Sequence, residues 1–387
     1  MNNAKKSLVP HRRFKEFQNA GAWEQRKLED ISIINPKSVI PEHFKYVDLE
    51  SVVGTDLISF IETDKNSAPS RAQRVARTGD IFYQTVRPYQ KNNYLFTLKD
   101  KDYVFSTGYA QIRSDVDNAF LMSYLQNENF VQTVLRHSTG TSYPAISPSD
   151  LAKISVFIPK KQKEQLKIGK AFSNIDNLIT LHQRKLNKLK KLKSAYLTEM
   201  FPDEGEHKPK RRFAGFTDDW EQRKLGDTVN SIVAGGDIDK SKIQENGKYP
   251  VYANALTNDG VIGYYNDQYR VKAPAVTVTG RGEIGVAKTR NTNFTPVVRL
   301  LAINSMHNNY FLENLINTHR AFAESTGVPQ LTAPQLANYK LKFPKSIEEE
   351  SKIGNFFNNL DSLITLHQRK IDKLQKLKNA YLNEMFV

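Results

Sequence analysis

At 387 residues, the chain has the length of two domains, each large enough to bury its own core, and its 39% apolar and 10% aromatic content describes a soluble globular protein. Zero cysteines exclude disulfides, Cys-zinc sites and thiol catalysis, and fit a reducing cytoplasm. No apolar run approaches the roughly 18–20 residues that cross a bilayer, Met1 to Lys15 lacks the apolar stretch of a secretory signal, and a net charge of +15 favours a polyanion such as nucleic acid over mere solubility or an acidic protein partner.

Taken in chain order, the sequence repeats itself. An Arg-Arg-Phe piece (Arg12 to Phe14) precedes WEQRKLED (Trp23 to Asp30), and the same order returns at Arg211 to Phe213 and WEQRKLGD (Trp220 to Asp227). Next come two middles, Glu42 to Tyr109 and Ile238 to Arg299, that share no alignable run. Both read as mixed α/β. Strands are predicted at Asp80 to Val86, Tyr103 to Thr107, Ala275 to Thr279 and Val297 to Ile303, and helices near Ala119 to Arg136 and Asn309 to Glu324. A further matched pair follows, Ser138 to Pro159 (STGTSYPAISPSDLAKISVFIP) and Ser325 to Pro344 (STGVPQLTAPQLANYKLKFP).

The strongest match closes each half. Ile168 to Phe201 and Ile353 to Phe386 agree at about 24 of 34 positions. Ile175, Leu178, Ile179, Leu186, Leu189, Tyr196, Leu197 and Met200 recur at three- and four-residue spacings, as do Leu360, Leu363, Ile364, Ile371, Leu374, Tyr381, Leu382 and Met385. This predicts a helical rod of about 50 Å in each half. Leu181 and Leu192 lie beyond one narrow seam, which implies more than one packing neighbour. Two rods packing antiparallel is the natural arrangement, although an ordinary amphipathic core helix shows the same periodicity. Pro202 stops the first rod, and Asp203 to Lys210 is a charged linker.

Enzyme motifs fare poorly. Gly280, Gly282 and Gly285 (GRGEIG) have dinucleotide-fingerprint spacing, but the following IGVAKT is β-rich and offers no long helix for a pyrophosphate; a Gly-rich hairpin bringing Arg281 close to DNA fits better. Pro202, Asp203, Glu206 and Lys208 mimic a nuclease pattern but crowd into one linker. His182 and His367 recur within LITLHQRK with no second metal ligand four residues away, so packing or hydrogen bonding at the helix interface is the better reading. Arg184, Lys185, Lys188, Lys190, Lys191 and Lys193 form a basic stretch that is either a solvated face or a phosphate contact.

Arg pairs with guanine and Asn or Gln with adenine in the major groove, while Lys mainly holds phosphate. On that chemistry the candidate DNA contacts in the first middle are Arg71, Arg74, Arg77, Arg87, Tyr89, Gln90, Lys91, Asn92 and Asn93. In the second they are Arg281, Lys288, Arg290, Asn291 and Asn293. The matched loops Thr139 to Ser147 and Thr326 to Thr332 add Ser142, Tyr143 and Gln330; being alike, they position DNA or shape the domain rather than discriminate bases.

The duplicated LITLHQRK helices (Leu178 to Lys185, Leu363 to Lys370), the WEQRKL openings and the STG…P loops together resemble the specificity subunit of type I restriction–modification systems, over essentially the whole chain. The resemblance implies an N-terminal segment like the inter-repeat linker (1–22), target recognition domains at 23–160 and 220–345, helices at 161–201 and 346–387 packing as an antiparallel coiled coil, and a linker at 202–219. It implies a non-catalytic subunit that reads a bipartite, asymmetric site in double-stranded DNA in the cytoplasm. Two methyltransferase subunits would dock on the helices, restriction subunits would join them, and S-adenosylmethionine, ATP and Mg would be bound by those partners. Candidate partner contacts are Leu178, Leu181, His182, Leu189, Leu363, Leu366, His367 and Leu374. The alternatives are the DNA-reading fragment of a fused restriction–methyltransferase enzyme, for which no Asn-Pro-Pro-Tyr-type loop or Rossmann module is visible, a coiled-coil scaffold without a DNA role, and a stand-alone repressor.

Overall fold

The matched WEQRK segments become strands whose partners are the other matched segments. In the computed structural model, Glu24–Lys27 pairs antiparallel with Ser155–Ile158, Glu24 opposite Ile158. Glu221–Lys224 pairs with Lys340–Phe343, Glu221 opposite Phe343. Each ribbon therefore joins the start of a half to the strand leading into its long helix. The tryptophan before each ribbon is fully buried: Trp23 packs its edge on Phe120 and Phe386, and Trp220 on Phe201 and Phe311.

The structure describes residues 8–100, 102–319 and 330–387. It divides into two units, one running to Arg184 and completed by Gln368–Val387, the other Lys185–His367. The first holds two four-stranded sheets. One has the order Ser32–Ile34, Tyr109–Ser114, Ile81–Gln84, Tyr94–Leu95, antiparallel throughout. The other runs Ile61–Asp64, His43–Val47, Tyr103–Ser106, Ala72–Val75, with one parallel pair, between His43–Val47 and Tyr103–Ser106. In the second unit the antiparallel sheet returns as Ser231–Ala234, Leu300–Asn304, Ala275–Thr279, Ala287–Arg290. Beside it lies a three-stranded sheet, Val261–Tyr265, Tyr249–Tyr252, Thr295–Pro296. The unlike middles thus keep one sheet order.

The helix expected over Ala119 to Arg136 is broken in two, Asn118–Leu125 and Glu128–Arg136. Asn127 causes the break: its extended backbone and its side-chain oxygen, which accepts from Asn129 N, start a new helix. The helix expected over Asn309 to Glu324 is seen as Asn309–Thr318; its expected end, and most of the second STG loop, lie outside the described residues. Short helices follow both loops, Pro148–Ala152 capped by Ser147 and Ala333–Ala337 capped by Thr332.

The two rods are the long helices Gln162–Glu199 and Ile347–Met385, of 38 and 39 residues. The division between units falls inside each. In the first unit their segments run antiparallel: Phe172 lies against Phe386 with the rings tilted, and farther along Asp176 pairs with Lys378 at 2.5 Å. In the second unit Tyr196 meets Phe356, and Lys193 pairs with Asp361 at 2.6 Å. Buried apolar side chains on these segments join the core of the unit they belong to, Ile168, Phe172, Leu382 and Phe386 in one, Ile353, Phe357 and Leu360 in the other.

Candidate nucleic-acid interface

The loop of residues 85–93 leaves strand Ile81–Gln84 through two left-handed non-glycine residues, Arg87 (φ 55°) and Lys91 (φ 56°). Side-chain amides hold it there. Asn93 Oδ1 accepts from Gln84 N at 2.8 Å, Asn92 Oδ1 from Gly54 N at 2.9 Å, and Gln90 Oε1 from Gln84 Nε2 at 2.8 Å. Lys91 Nζ pairs with Glu128 at 2.7 Å, and its carbonyl accepts from Gln126. Asn93, only 1% exposed, is part of the core. As a base contact, Asn93 is therefore corrected: its amide oxygen, like that of half-buried Asn92, satisfies a backbone N–H group that this tight loop would otherwise strand.

What the loop presents is an arginine on an aromatic plate. Arg87 lies over the ring of Tyr143 at 4.4 Å, and Tyr143 is 64% exposed. Tyr89 and Ser142 are exposed beside them in sequence. Arg71 and Arg77 are exposed and Arg74 is half-buried, with burial drawing its pKa below the ordinary arginine value.

In the second unit the GRGEIG stretch is a tight hairpin between Ala275–Thr279 and Ala287–Arg290, closed by Gly285 N to Thr279 O at 2.8 Å and Thr279 N to Val286 O at 3.0 Å. No helix follows it, as the β-rich sequence required. Gly282 and Gly285 take φ values of 71° and 81°, conformations that favour glycine, and Arg281 is exposed at the tip. Arg290 is corrected as a surface contact: 7% exposed, it pairs with Asp259 at 2.9 Å, donates to Thr277 and lies over Tyr252 at 3.8 Å. Lys288 also pairs with Asp259. Asn293 accepts from Ala273 N at 2.8 Å, Asn291 donates to the Tyr310 hydroxyl, and Gln330 accepts from Arg299. Sequence reading passed over an exposed basic and aromatic group here, Lys248 over Tyr249, with Tyr249 against Tyr269 and Arg270 next in sequence; the Lys-Tyr and Tyr-Arg doublets were the signal.

Along the long helices, Leu178 and Leu181 are 44% and 45% exposed, and their repeats Leu363 and Leu366 are 43% and 45% exposed. Leu189, Leu374, His182 and His367 are half-buried. Each unit thus leaves two neighbouring leucines of the duplicated motif uncovered. Arg184, Lys185, Lys188, Lys190 and Lys191 are exposed, whereas Lys193 is spent on Asp361. Among the described residues no His, Cys, Asp and Glu cluster could hold a metal, and no helix is long and apolar enough to cross a membrane.

Comparison with known proteins adds four findings. The family described as type I restriction modification DNA specificity domain matches twice, over residues 21–191 and 217–376. A Mycoplasma pneumoniae protein assigned as a type I specificity subunit, S.MpnORF507P, is 26% identical over 64% of this chain, and the match spans 65% of that relative's length, just under two thirds. The MjaVIII specificity subunit of Methanocaldococcus jannaschii is 23% identical over 69% of each chain. The crystal structure of a type I restriction–modification S subunit from M. genitalium superposes with a TM-score of 0.73 over 98% of this chain and 99% of that one, at 14% identity, and so shares the fold.

Proposed function

Because the chain belongs to the type I restriction modification DNA specificity family, we propose that it supplies the DNA address of a type I restriction–modification complex. In this reading each unit reads one half of a bipartite, asymmetric duplex site in the cytoplasm, and the long helices set the unread spacer between the halves. The exposed leucines dock two methyltransferase subunits, which restriction subunits join. Chemistry then belongs to the partners, with S-adenosylmethionine, ATP and Mg bound there.

One observation supports this reading above the others: the same frame of ribbon, sheet order and long helix is built twice around middles of unrelated sequence. Like surfaces suit one kind of partner met twice, and unlike middles suit two different half-sites. The test is methylome sequencing of cells carrying the chain with the methyltransferase subunits of its own system. Methylated adenines in two dissimilar half-sites, a fixed unspecified distance apart, are expected. A perfectly palindromic site, or none, overturns the reading.

A further inference from the structure

The inference rests on the DNA-reading role just proposed and names the side chains that choose a base. In the first unit, Ile146 N donates to Thr85 O at 3.0 Å and Arg87 N donates to Pro144 O at 2.7 Å. In the second, Leu331 N donates to Gly280 O at 3.0 Å. Ile146 and Leu331 hold the same place in the two matched loops, directly before the helix caps Ser147 and Thr332. Thr85 and Gly280 each leave the third strand of the same antiparallel sheet order. They are therefore structural equivalents, although no sequence alignment pairs them. Arg87 stands two residues beyond the first and Arg281 one residue beyond the second, on the same turn of the plan.

Arg87 is held in a way that a general surface cation is not. Its backbone is left-handed, a strained state that persists only where the surroundings impose it. Its guanidinium lies over Tyr143 at 4.4 Å, and its Nε is buried without a partner. A planar fork laid on an aromatic ring keeps one orientation and leaves its outer N–H edge to a ligand. The amide oxygens of Gln90, Asn92 and Asn93 are occupied in bracing the loop. A rigid arginine fork at the tip of a turn matches the O6 and N7 acceptors of guanine in the major groove. We propose that Arg87, positioned by Tyr143, reads a guanine in the half-site of the first unit, and that the turn bearing Arg281 reads the other half-site. The matched loop then braces the reading turn in both units, which is why it is alike where the targets differ.

The test uses the complex of this chain with the methyltransferase subunits of its system, selecting from duplexes randomised across both half-sites at several salt concentrations. R87A and R87K are both expected to lose preference at a single guanine of one half-site, by about 5- to 150-fold. Selection at the other half-site stays intact, which also reports a folded complex. Y143A weakens the same position, and R281A relaxes only the opposite half-site. Full preference retained by R87K, with R87A weakening all sequences alike and lowering the salt slope by about one, marks a phosphate contact and overturns the proposal. So does an unchanged R87A. Wild-type complex that selects no bipartite sequence sinks the DNA-reading role itself, a failure visible before any variant is made.

Discussion

Arg13 grips Glu164 through two parallel hydrogen bonds, Nε to Oε1 at 2.6 Å and Nη2 to Oε2 at 2.8 Å, with both side chains shut away from solvent. Arg212 grips Glu349 in the same manner, at 2.6 and 2.7 Å. The arginine before each takes the other long helix: Arg12 pairs with Glu384 and covers Tyr381, and Arg211 pairs with Glu199 and covers Tyr196. One Arg-Arg-Phe piece therefore ties the start of one long helix to the end of the other within its unit, and the second piece repeats this with the helices exchanged. The likeness between the N-terminal stretch and the linker has its cause in that shared task.

Stranding one member of such a pair is expensive, because the survivor remains a buried charge without a partner. E164A should destabilise the chain by about 3–5 kcal/mol, whereas the double change R13M/E164L should come close to wild type. Urea denaturation of the three proteins decides it. A mild single variant would show that water reaches Arg13 and that the pair is no staple.

The frame was legible in the sequence because its chemistry is local and repeated. WEQRK, STG, and LITLHQRK each recur, and helical spacing in Ile175 to Met200 needs no tertiary knowledge to be seen. The middles were not legible, since strand order is decided by pairing between distant segments and Thr85 shares nothing in sequence with Gly280. Buried polar residues of the middles were the main source of error. Asn93 and Arg290 look like surface groups by type, yet one satisfies Gln84 N and the other lies buried over Tyr252 and pairs with Asp259. Glu164 and Glu349 went unremarked because acids early in a helix have many ordinary explanations.

The exposed leucines separate folding from docking. Leu181 and Leu366 are each 45% exposed, so L181E or L366E should shift stability by no more than about 0.5 kcal/mol. In the proposed complex each charge would sit in an apolar contact with a methyltransferase subunit. Native mass measurement should then find one methyltransferase subunit with either single variant and none with the double. Two subunits retained by the double variant would remove these leucines from the interface.

Glu313 gives the stability a pH dependence of known sign. Burial lifts its carboxyl above the ordinary glutamate range, against the opposing effects of the hydrogen bond from Thr289 N at 2.8 Å and of nearby Lys193; Asp361 raises it further. The folded state thus holds the proton more tightly than the unfolded chain. The associated stability is complete below the unfolded glutamate value and fades as pH rises through the folded one. E313Q keeps the acceptor for Thr289 but cannot ionise. Its denaturation midpoint should fall less than that of wild type between about pH 4.5 and neutrality; parallel profiles would sink the assignment.

Gly169 and Gly354, equivalent glycines about two turns into the long helices, set an opposite expectation to the usual one. Alanine replacing glycine inside a helix ordinarily stabilises by about 1 kcal/mol. Here a Cβ on Gly169 would meet the cap carboxylate of Asp117 and stand 2.6 Å from Phe120 N, the very donor that Asp117 caps at 2.7 Å. A Cβ on Gly354 would meet the Asn308 amide and stand 2.9 Å from Phe311 N, which Asn308 caps. In both units the glycine lets the long helix touch the capped end of a shorter helix, Asn118–Leu125 in one and Asn309–Thr318 in the other. Backbone cannot yield as a flexible side chain does, so the overpacking and the disturbed cap add. G169A and G354A should each lower stability by about 2–4 kcal/mol in thermal or urea unfolding. Either variant melting above wild type would mean that the long helix and the capped helix stand farther apart than this contact requires.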